Sequence, residues 1–352
     1  MLKNIPIRKM FVAFSITLIA ILAVAGGAYA GMRALFNPPP PTVGNYITLR
    51  PLPPSTGLDG NISLGNTNPS DGDSYYEHPP EVLTRVPRRH PYFFTLLIFA
   101  TDTGNNVDAM MVASFDAREN EINVISIPRD IRVDSTRGVG RRKPVASYSA
   151  GRGGGRGHEG GVAQLKRELS TLIGFEPDFY VHVDYRAFER LIDAVGGVEI
   201  DVPRRMFYVQ GGAVDINIPA GLQVMDGRTA SHFARYRHSI TDYGRMENQQ
   251  AILTALYQEM LSPSMILQLP ELIRIYQENV NTDMSFQDML WFVNHLSHMD
   301  MSGLSTYTLP TSHTVRQGWY EMPDSAGILE LINRTINPLA IDITPEMVRH
   351  IQ

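Results

Sequence analysis

From Phe93 onward the chain alternates short apolar runs with amphipathic stretches, each parted from the next by turn residues. Phe93–Ala100 (FFTLLIFA) is a continuous apolar run of strand length, closed by the turn-rich Thr101–Asn106. Ala109–Phe115 and Ile122–Ile127 predict two further strands about the turn Asp116–Asn120. Helical spacing then sets in. Val162, Leu165, Leu169 and Leu172 recur at one face of Gly161–Ile173, with Gly174 as the stop. Phe179–Val183 predicts a strand, Tyr185–Val195 a helix, and Val198–Val202 a strand beyond the Gly196-Gly197 turn. Asp226 suits the N-cap of a helix through Ala234. Met246–Leu261, Phe286–Met299 and Ala326–Ile336 read as later helices. Strands and helices in this alternation predict an α/β sandwich built on one central sheet.

The pattern before Phe93 is different. Met10–Met32 contains no Asp, Glu or Lys and no Arg, which is long enough to cross a bilayer. Lys3, Arg8 and Lys9 precede it, favouring residues 1–9 in the cytoplasm and the remainder outside. A cleavable signal peptide is the rival, because Ala28-Tyr29-Ala30 fits a small-residue cleavage site. The apolar stretch exceeds the usual signal core of roughly 7–15 residues, so a retained anchor over residues 10–32 is expected. Residues 33–90 are rich in Pro, Gly, Ser and Asn and show no sustained periodicity. They read as an extracytoplasmic linker to a folded domain at 91–340, with 341–352 as a tail.

Composition narrows the chemistry. Apolar residues make up 43% and charged residues 19% of the chain, and the net charge is -5. An acidic balance of that kind argues against a general nucleic-acid binder. The count of zero cysteines excludes disulfides, thiol catalysis and Cys-based zinc sites.

The segment HFARYRHSITDYGRMENQQ draws attention next. Within its eleven residues 235–245 it sets Arg235, Arg237 and Arg245 around a single carboxylate, Asp242. A solvated charge cluster is the bland reading. Apolar stretches on both sides (Phe233, Ala234; Ile252, Leu253, Leu256) place the cluster at a junction of core elements instead. Guanidiniums partly withdrawn from water need anions. One aspartate cannot serve all three, so a phosphate or diphosphate ligand is expected, for which the planar fork of arginine is well shaped.

Other constellations sit at the predicted strand ends. Asp102 and Asp108 flank the loop between two strands; such a pair can share Mg2+ together with a substrate phosphate, and equally suits plain loop and cap aspartates. Pro128 stops the next strand, so Arg129 and Asp130 emerge where it leaves the sheet. Arg137–Gly161 is glycine-rich and basic, reading either as a mobile loop or as a backbone cradle for phosphate. No nucleotide P-loop, G-x-S-x-G elbow or H-E-x-x-H motif is present.

Taken in order, the segments IFATDTGNNVDAMMVASFD, INVISIPRDIRVD, KPVASYSAGRGGG, DFYVHVDYRAFERLIDAVGGVEIDVP, INIPAGLQVMDGRTASHFARYRHSITDYGRMENQQ and YTLP resemble the LytR–CpsA–Psr family of membrane-anchored bacterial proteins, over about residues 91–335. The resemblance implies an α/β/α sandwich around a mixed central sheet, with a hydrophobic tunnel for a polyprenyl chain. It further implies a phosphotransferase that moves a glycopolymer from an undecaprenyl diphosphate carrier onto peptidoglycan through a phosphodiester, assisted by Mg2+. By this resemblance Asp102 and Asp108 are the metal carboxylates. Arg129, Lys143, Arg235, Arg237 and Arg245 bind the diphosphate, and Arg129, Asp130 and Asp242 are the catalytic candidates. The implied partners are the lipid-linked glycan, the peptidoglycan acceptor and the cell membrane, with no nucleic acid. Two departures stand out. The family usually has a second arginine where this chain has Asn248, and often Ser-Arg where it has Thr103-Gly104. Each removes a positive charge. The alternatives to transfer are a polyprenyl-diphosphate binding or regulatory protein, and a diphosphate hydrolase.

Overall fold

The computed structural model describes residues 39–49, 84–102, 105–133, 143–210, 213–236, 242–260, 274–275, 278, 280–296, 299, 301–315 and 320–349. The expected anchor at 10–32 lies outside them. Among the described residues, no helix is long and apolar enough to cross a membrane.

The chain divides into two compact units: Val43–Asp283 with Met299–Gln352, and Met1–Thr42 with Met284–His298. The described part of the smaller one is chiefly the helix Phe286–Leu296, started by Asp288, whose carboxylate accepts from Ser285 N at 2.9 Å. The larger unit holds everything else.

Its centre is a six-stranded mixed sheet. Outside it, the first two strands of the chain, β1 (Tyr46–Leu49) and β2 (Thr84–Pro87), pair with one another as a separate two-stranded sheet. Then come β3 (Phe93–Thr101), β4 (Val107–Asp116), β5 (Glu121–Ser126) and β6 (Phe179–Asp184). With β11 (Val280–Thr282) and β12 (Leu304–Thr308), the order across the central sheet is β11-β6-β3-β4-β5-β12. β3 runs parallel to β6 and antiparallel to β4, and β5 runs parallel to β12. The parallel neighbours need crossovers, which the helices provide: α1 (Pro144–Gly151) and α2 (Gly157–Ile173) lie between β5 and β6 in the chain.

One face of the sheet is sealed. Leu97, Phe99 and Val112 pack with Tyr148 of α1, Leu165, Leu169 and Leu172 of α2, and Ile328 and Ile332 of the last helix, Ser325–Thr335. α2 stops at Gly174, whose φ of 85° is the left-handed conformation that glycine adopts freely. The opposite face is different. Leu96, Ile98 and Ala100 of β3, Ala109 of β4 and Val181 and Val183 of β6 are only half-buried, and the register sets Ile98 beside Val181 and Ala100 beside Val183. They form an apolar strip ending beside Asp102.

A second core gathers α3 (Tyr185–Ala194), β7 (Val198–Val202), β8 (Met206–Gln210), β9 (Ala213–Ile218), β10 (Gly221–Met225), α4 (Gly227–Arg235) and α5 (Asp242–Met260) around Ile192, Ile200, Phe233 and Ile252. The hairpin β13 (Thr311–Val315) and β14 (Tyr320–Pro323) follows β12.

Three expectations need correction. The span 33–90 is not all linker: Ile47 and Val86 of β1 and β2 enter the main core. Arg88 fastens them, donating to Gly44 O (3.0 Å), Phe93 O (2.9 Å) and Asp178 Oδ2 (3.0 Å). Residues 144–151 and 157–161 are helical where a glycine-rich loop is expected, leaving only 152–156 as a turn, because Pro144 opens α1 and Gly151 and Gly161 let α1 and α2 meet. The stretch 341–349 is no free tail, since Ile343 and Val348 are buried at 2% and 6% exposure.

Candidate functional site

Strand ends and helix starts converge at one end of the sheet. Asp102 follows the last residue of β3, and its two oxygens accept from Asn106 N and Asn106 Nδ2, both at 2.8 Å. Asp108 is the second residue of β4. Its Oδ2 accepts from the Tyr185 hydroxyl, and its Oδ1 lies 3.5 Å from Arg129 Nη1. Arg129 and Asp130 form the turn after β5, and Arg129 Nε is 3.8 Å from Asp130 Oδ2. Lys143, just before α1, donates to Asp130 Oδ1 at 2.7 Å. The result is an alternating row, Asp108–Arg129–Asp130–Lys143, with side chains roughly a quarter exposed. Solvent still reaches them, so a charged ligand can too.

α4 delivers Arg235 to this row. Asp226 caps the helix by accepting from Thr229 N at 2.8 Å, as the sequence predicts. Arg235, in the last turn, donates through Nε to Ser231 O at 3.2 Å, and its guanidinium carbon sits 4.5 Å above the Tyr185 ring. Arg245 lies on α5 and is buried at 3% exposure. Gln250 anchors the same helix by donating to Ser126 Oγ (2.9 Å) and Tyr307 O (2.8 Å), at the ends of β5 and β12. The structure thus brings together Asp108, Arg129, Asp130, Lys143 and Arg235. Arg237 and the side chain of Asp242 lie outside the described residues.

Asn248 does not face the ligand side as an open position. It is 7% exposed and donates through Nδ2 to Phe233 O at 3.0 Å, holding the last turn of α4. What the position supplies here is a structural bond between α5 and α4.

Tyr185 was not singled out by the sequence. It is the first residue of α3 and follows β6 with no intervening loop, because Asp184 caps the helix by accepting from Ala187 N at 2.8 Å. Burial, and then the hydrogen bond to Asp108, push its phenol well above the ordinary range, so it acts as a donor and not a base. Its only sequence signal is position: a tyrosine directly after a strand that ends beside Thr101.

A second polar group lies beneath the Asp102 loop. His182 on β6 is hydrogen-bonded to Thr101 Oγ1 (2.9 Å) and stacks on Phe99 with ring centroids 4.6 Å apart. His158 joins Tyr148 OH (2.9 Å) and Tyr180 OH (3.2 Å). Burial, reinforced by neighbouring His158, holds His182 down at about 4 against an ordinary 6.5, so the group is neutral.

The donor set for a metal can be judged on this geometry. Among the described residues no three His, Asp or Glu side chains form a cage. Asp102 and Asp108 stand at the adjoining ends of β3 and β4 with their oxygens hydrogen-bonded to Asn106 and to Tyr185 and Arg129; one or two carboxylates of this kind are what Mg2+ takes when water and phosphate complete its shell.

A mixed sheet with carboxylates, arginines and a lysine gathered at one end, beside an apolar strip, defines an α/β domain with a charged site at its strand ends. Residues 92–335 match the LytR_cpsA_psr family, and the chain belongs to it. It is 28% identical over 182 residues to the regulatory protein MsrR of Staphylococcus aureus (strain COL), covering 51% of each chain; the matched stretch thus spans about half of that relative. It is also 28% identical over 251 residues to the polyisoprenyl-teichoic acid–peptidoglycan teichoic acid transferase TagV of Bacillus subtilis (strain 168), covering 68% of this chain and 61% of that one. The crystal structure of B. subtilis TagV superposes with a TM-score of 0.58 at 24% identity, over 69% of this chain and 95% of that one. TagT bound to LIIa-WTA gives 0.57 at 19%, over 71% and 91%. These structures share the fold.

Proposed function

We propose that this chain is a phosphotransferase which moves a glycopolymer from a polyprenyl diphosphate carrier to peptidoglycan. The observation that carries the reading is the alternating charge row with Arg235 beside it, set against the half-buried apolar strip of β3 and β6. Such an arrangement suits an amphiphile whose diphosphate meets the cations while its isoprenoid chain covers the strip. The family relationship and the teichoic acid transferase TagV among its relatives support the same reading.

In this reading Arg129, Lys143, Arg235, Arg237 and Arg245 neutralise and orient the diphosphate. Phosphoryl transfer depends chiefly on positioning and on stabilising charge at the transferring group. The acceptor sugar hydroxyl attacks the phosphorus attached to the glycan. Its proton passes to a carboxylate, with Asp130 the first candidate and Asp242 the second. The bond from that phosphorus to the bridging oxygen breaks, and polyprenyl monophosphate leaves. Mg2+, held by Asp102 and Asp108, would supply further charge neutralisation at the phosphate oxygens. Arg129 bridges Asp108 and Asp130, so it orients both carboxylates as well as the ligand. Residues 10–32 would anchor the chain in the cell membrane once, leaving the catalytic domain extracytoplasmic where acceptor and lipid carrier meet.

Incubating the full chain with a labelled polyprenyl-diphosphate glycan, with and without peptidoglycan, tests this directly. Label appearing in peptidoglycan supports transfer. Water-soluble label without acceptor points to hydrolysis, and retained lipid-linked label points to binding alone.

A further inference from the structure

Tyr185 touches both halves of the charged site with opposite parts of one side chain. Its hydroxyl donates to Asp108, and its ring lies 4.5 Å under the guanidinium of Arg235. The backbone gives it little freedom. β6 ends at Asp184 in register with Thr101, Asp184 caps α3 through Ala187 N, and Tyr185 is the first residue of that helix. Arg235 is restrained on its other side by Ser231 O at 3.2 Å. One rigid ring thus links the Asp108 carboxylate to the Arg235 guanidinium.

We infer that Tyr185 is a positioning residue that couples the Asp108 carboxylate to Arg235, adding an indirect link between cation binding and diphosphate binding to the direct one that a cation beside the phosphate would provide. The inference rests on the site reading given above. Coupling of this kind is reciprocal, so either ligand reports it. The hydroxyl is the arm toward the cation and the ring is the arm toward the diphosphate. Separate substitutions separate the arms: Tyr185→Phe keeps the ring and deletes the hydroxyl, while Tyr185→Leu deletes both.

The test measures the affinity of the full chain for geranylgeranyl diphosphate by calorimetry, with and without Mg2+. In wild type, Mg2+ is expected to tighten binding. In Tyr185→Phe, metal-free affinity should stay within about twofold of wild type, as the cation–π platform remains, while the Mg2+ enhancement should shrink by roughly threefold or more, the direct contribution of the cation remaining. In Tyr185→Leu, metal-free affinity should fall by roughly three- to tenfold as well. A merely structural tyrosine would weaken both conditions equally and leave the Mg2+ ratio untouched, and that result overturns the inference. If Tyr185→Leu fails to fold, the ratio in Tyr185→Phe decides alone. Wild type that binds the diphosphate but shows no Mg2+ enhancement overturns the coupling and leaves diphosphate binding standing. Wild type that does not bind geranylgeranyl diphosphate overturns the site reading itself.

Discussion

Arg235 works through geometry as much as through charge. Its guanidinium lies flat over Tyr185 while Nε is spent on Ser231 O, an arrangement that a lysine point charge cannot reproduce. Arg235→Ala should weaken polyprenyl-diphosphate binding by about one to two decades, the worth of a charge-assisted bond of roughly 1.5–3 kcal/mol. Arg235→Lys should recover only part of that loss, and full recovery in a binding titration would reduce the residue to a charge. Asn248 gives the opposite expectation. Asn248→Arg breaks the bond to Phe233 O and forces a second cation into the buried neighbourhood of Arg245, where unpaired charge is costly. Its thermal midpoint should drop with no gain in diphosphate affinity; tighter binding would show that the position reaches the ligand after all. At this scale the sequence pointed to Arg235, because a cluster of arginines stands out against an apolar background; Arg237 and the Asp242 side chain of the same cluster lie outside the described residues. The sequence did not disclose Tyr185 or the role of Asn248. A phenol and an amide are ordinary in sequence, and only the strand register and the α4–α5 junction give them partners.

α4 brings its arginine to the site only because α3 and α4 meet closely. At Gly227, the first residue of α4, a Cβ would fall onto the Glu189 carbonyl oxygen of α3. Gly227→Ala must push the helices apart and should cost about 1–3 kcal/mol, the usual range for overpacking. Because Arg235 moves with α4, diphosphate affinity should fall too, although residue 227 touches no ligand. Denaturant melts and binding titrations on the one variant check both, and an unchanged affinity would mean that the end of α4 is positioned independently of its start. The elements themselves were unevenly legible. β3 to β6, α3 and α4 follow from apolar runs, the Gly196-Gly197 turn and Asp226. α1 escaped because its buried residues are few, chiefly Pro144, Ser147 and Tyr148, and glycines surround it. The pairs β8–β9 and β13–β14 depend on strands of five or fewer residues in one partner or both, too short for a clear periodicity.

For the larger unit as a whole, stability should respond to pH through the His182 group. Its folded value of about 4 lies below the ordinary 6.5, so between those values the unfolded chain holds a proton that the folded chain lacks. Stability is then fully present above about 6.5 and declines as pH falls toward 4. The thermal midpoint of wild type should fall from pH 6.5 to 5, and His182→Gln should flatten that slope; equal slopes would remove His182 from the cause. Long-range pairing was the least legible feature. β1 and β2 are separated by residues 50–83, so no local pattern links them, and the buried Arg88 that ties both to Asp178 looks like one of many surface arginines until the fold is seen. The mixed sheet and the convergence of its strand ends could be anticipated from the alternation and from family resemblance together. The central claim, that the charged row beside the apolar strip transfers a phosphorylated glycan, is tested most directly by the chemistry of the products. Purified full chain, a polyprenyl-diphosphate glycan and peptidoglycan should be incubated and analysed by phosphorus-31 NMR and mass spectrometry. The expected result is polyprenyl monophosphate and a glycan–peptidoglycan phosphodiester in equimolar amounts, both lost in Asp108→Ala and Arg129→Ala. Polyprenyl monophosphate released at the same rate without peptidoglycan, or a product containing no phosphodiester, would contradict it.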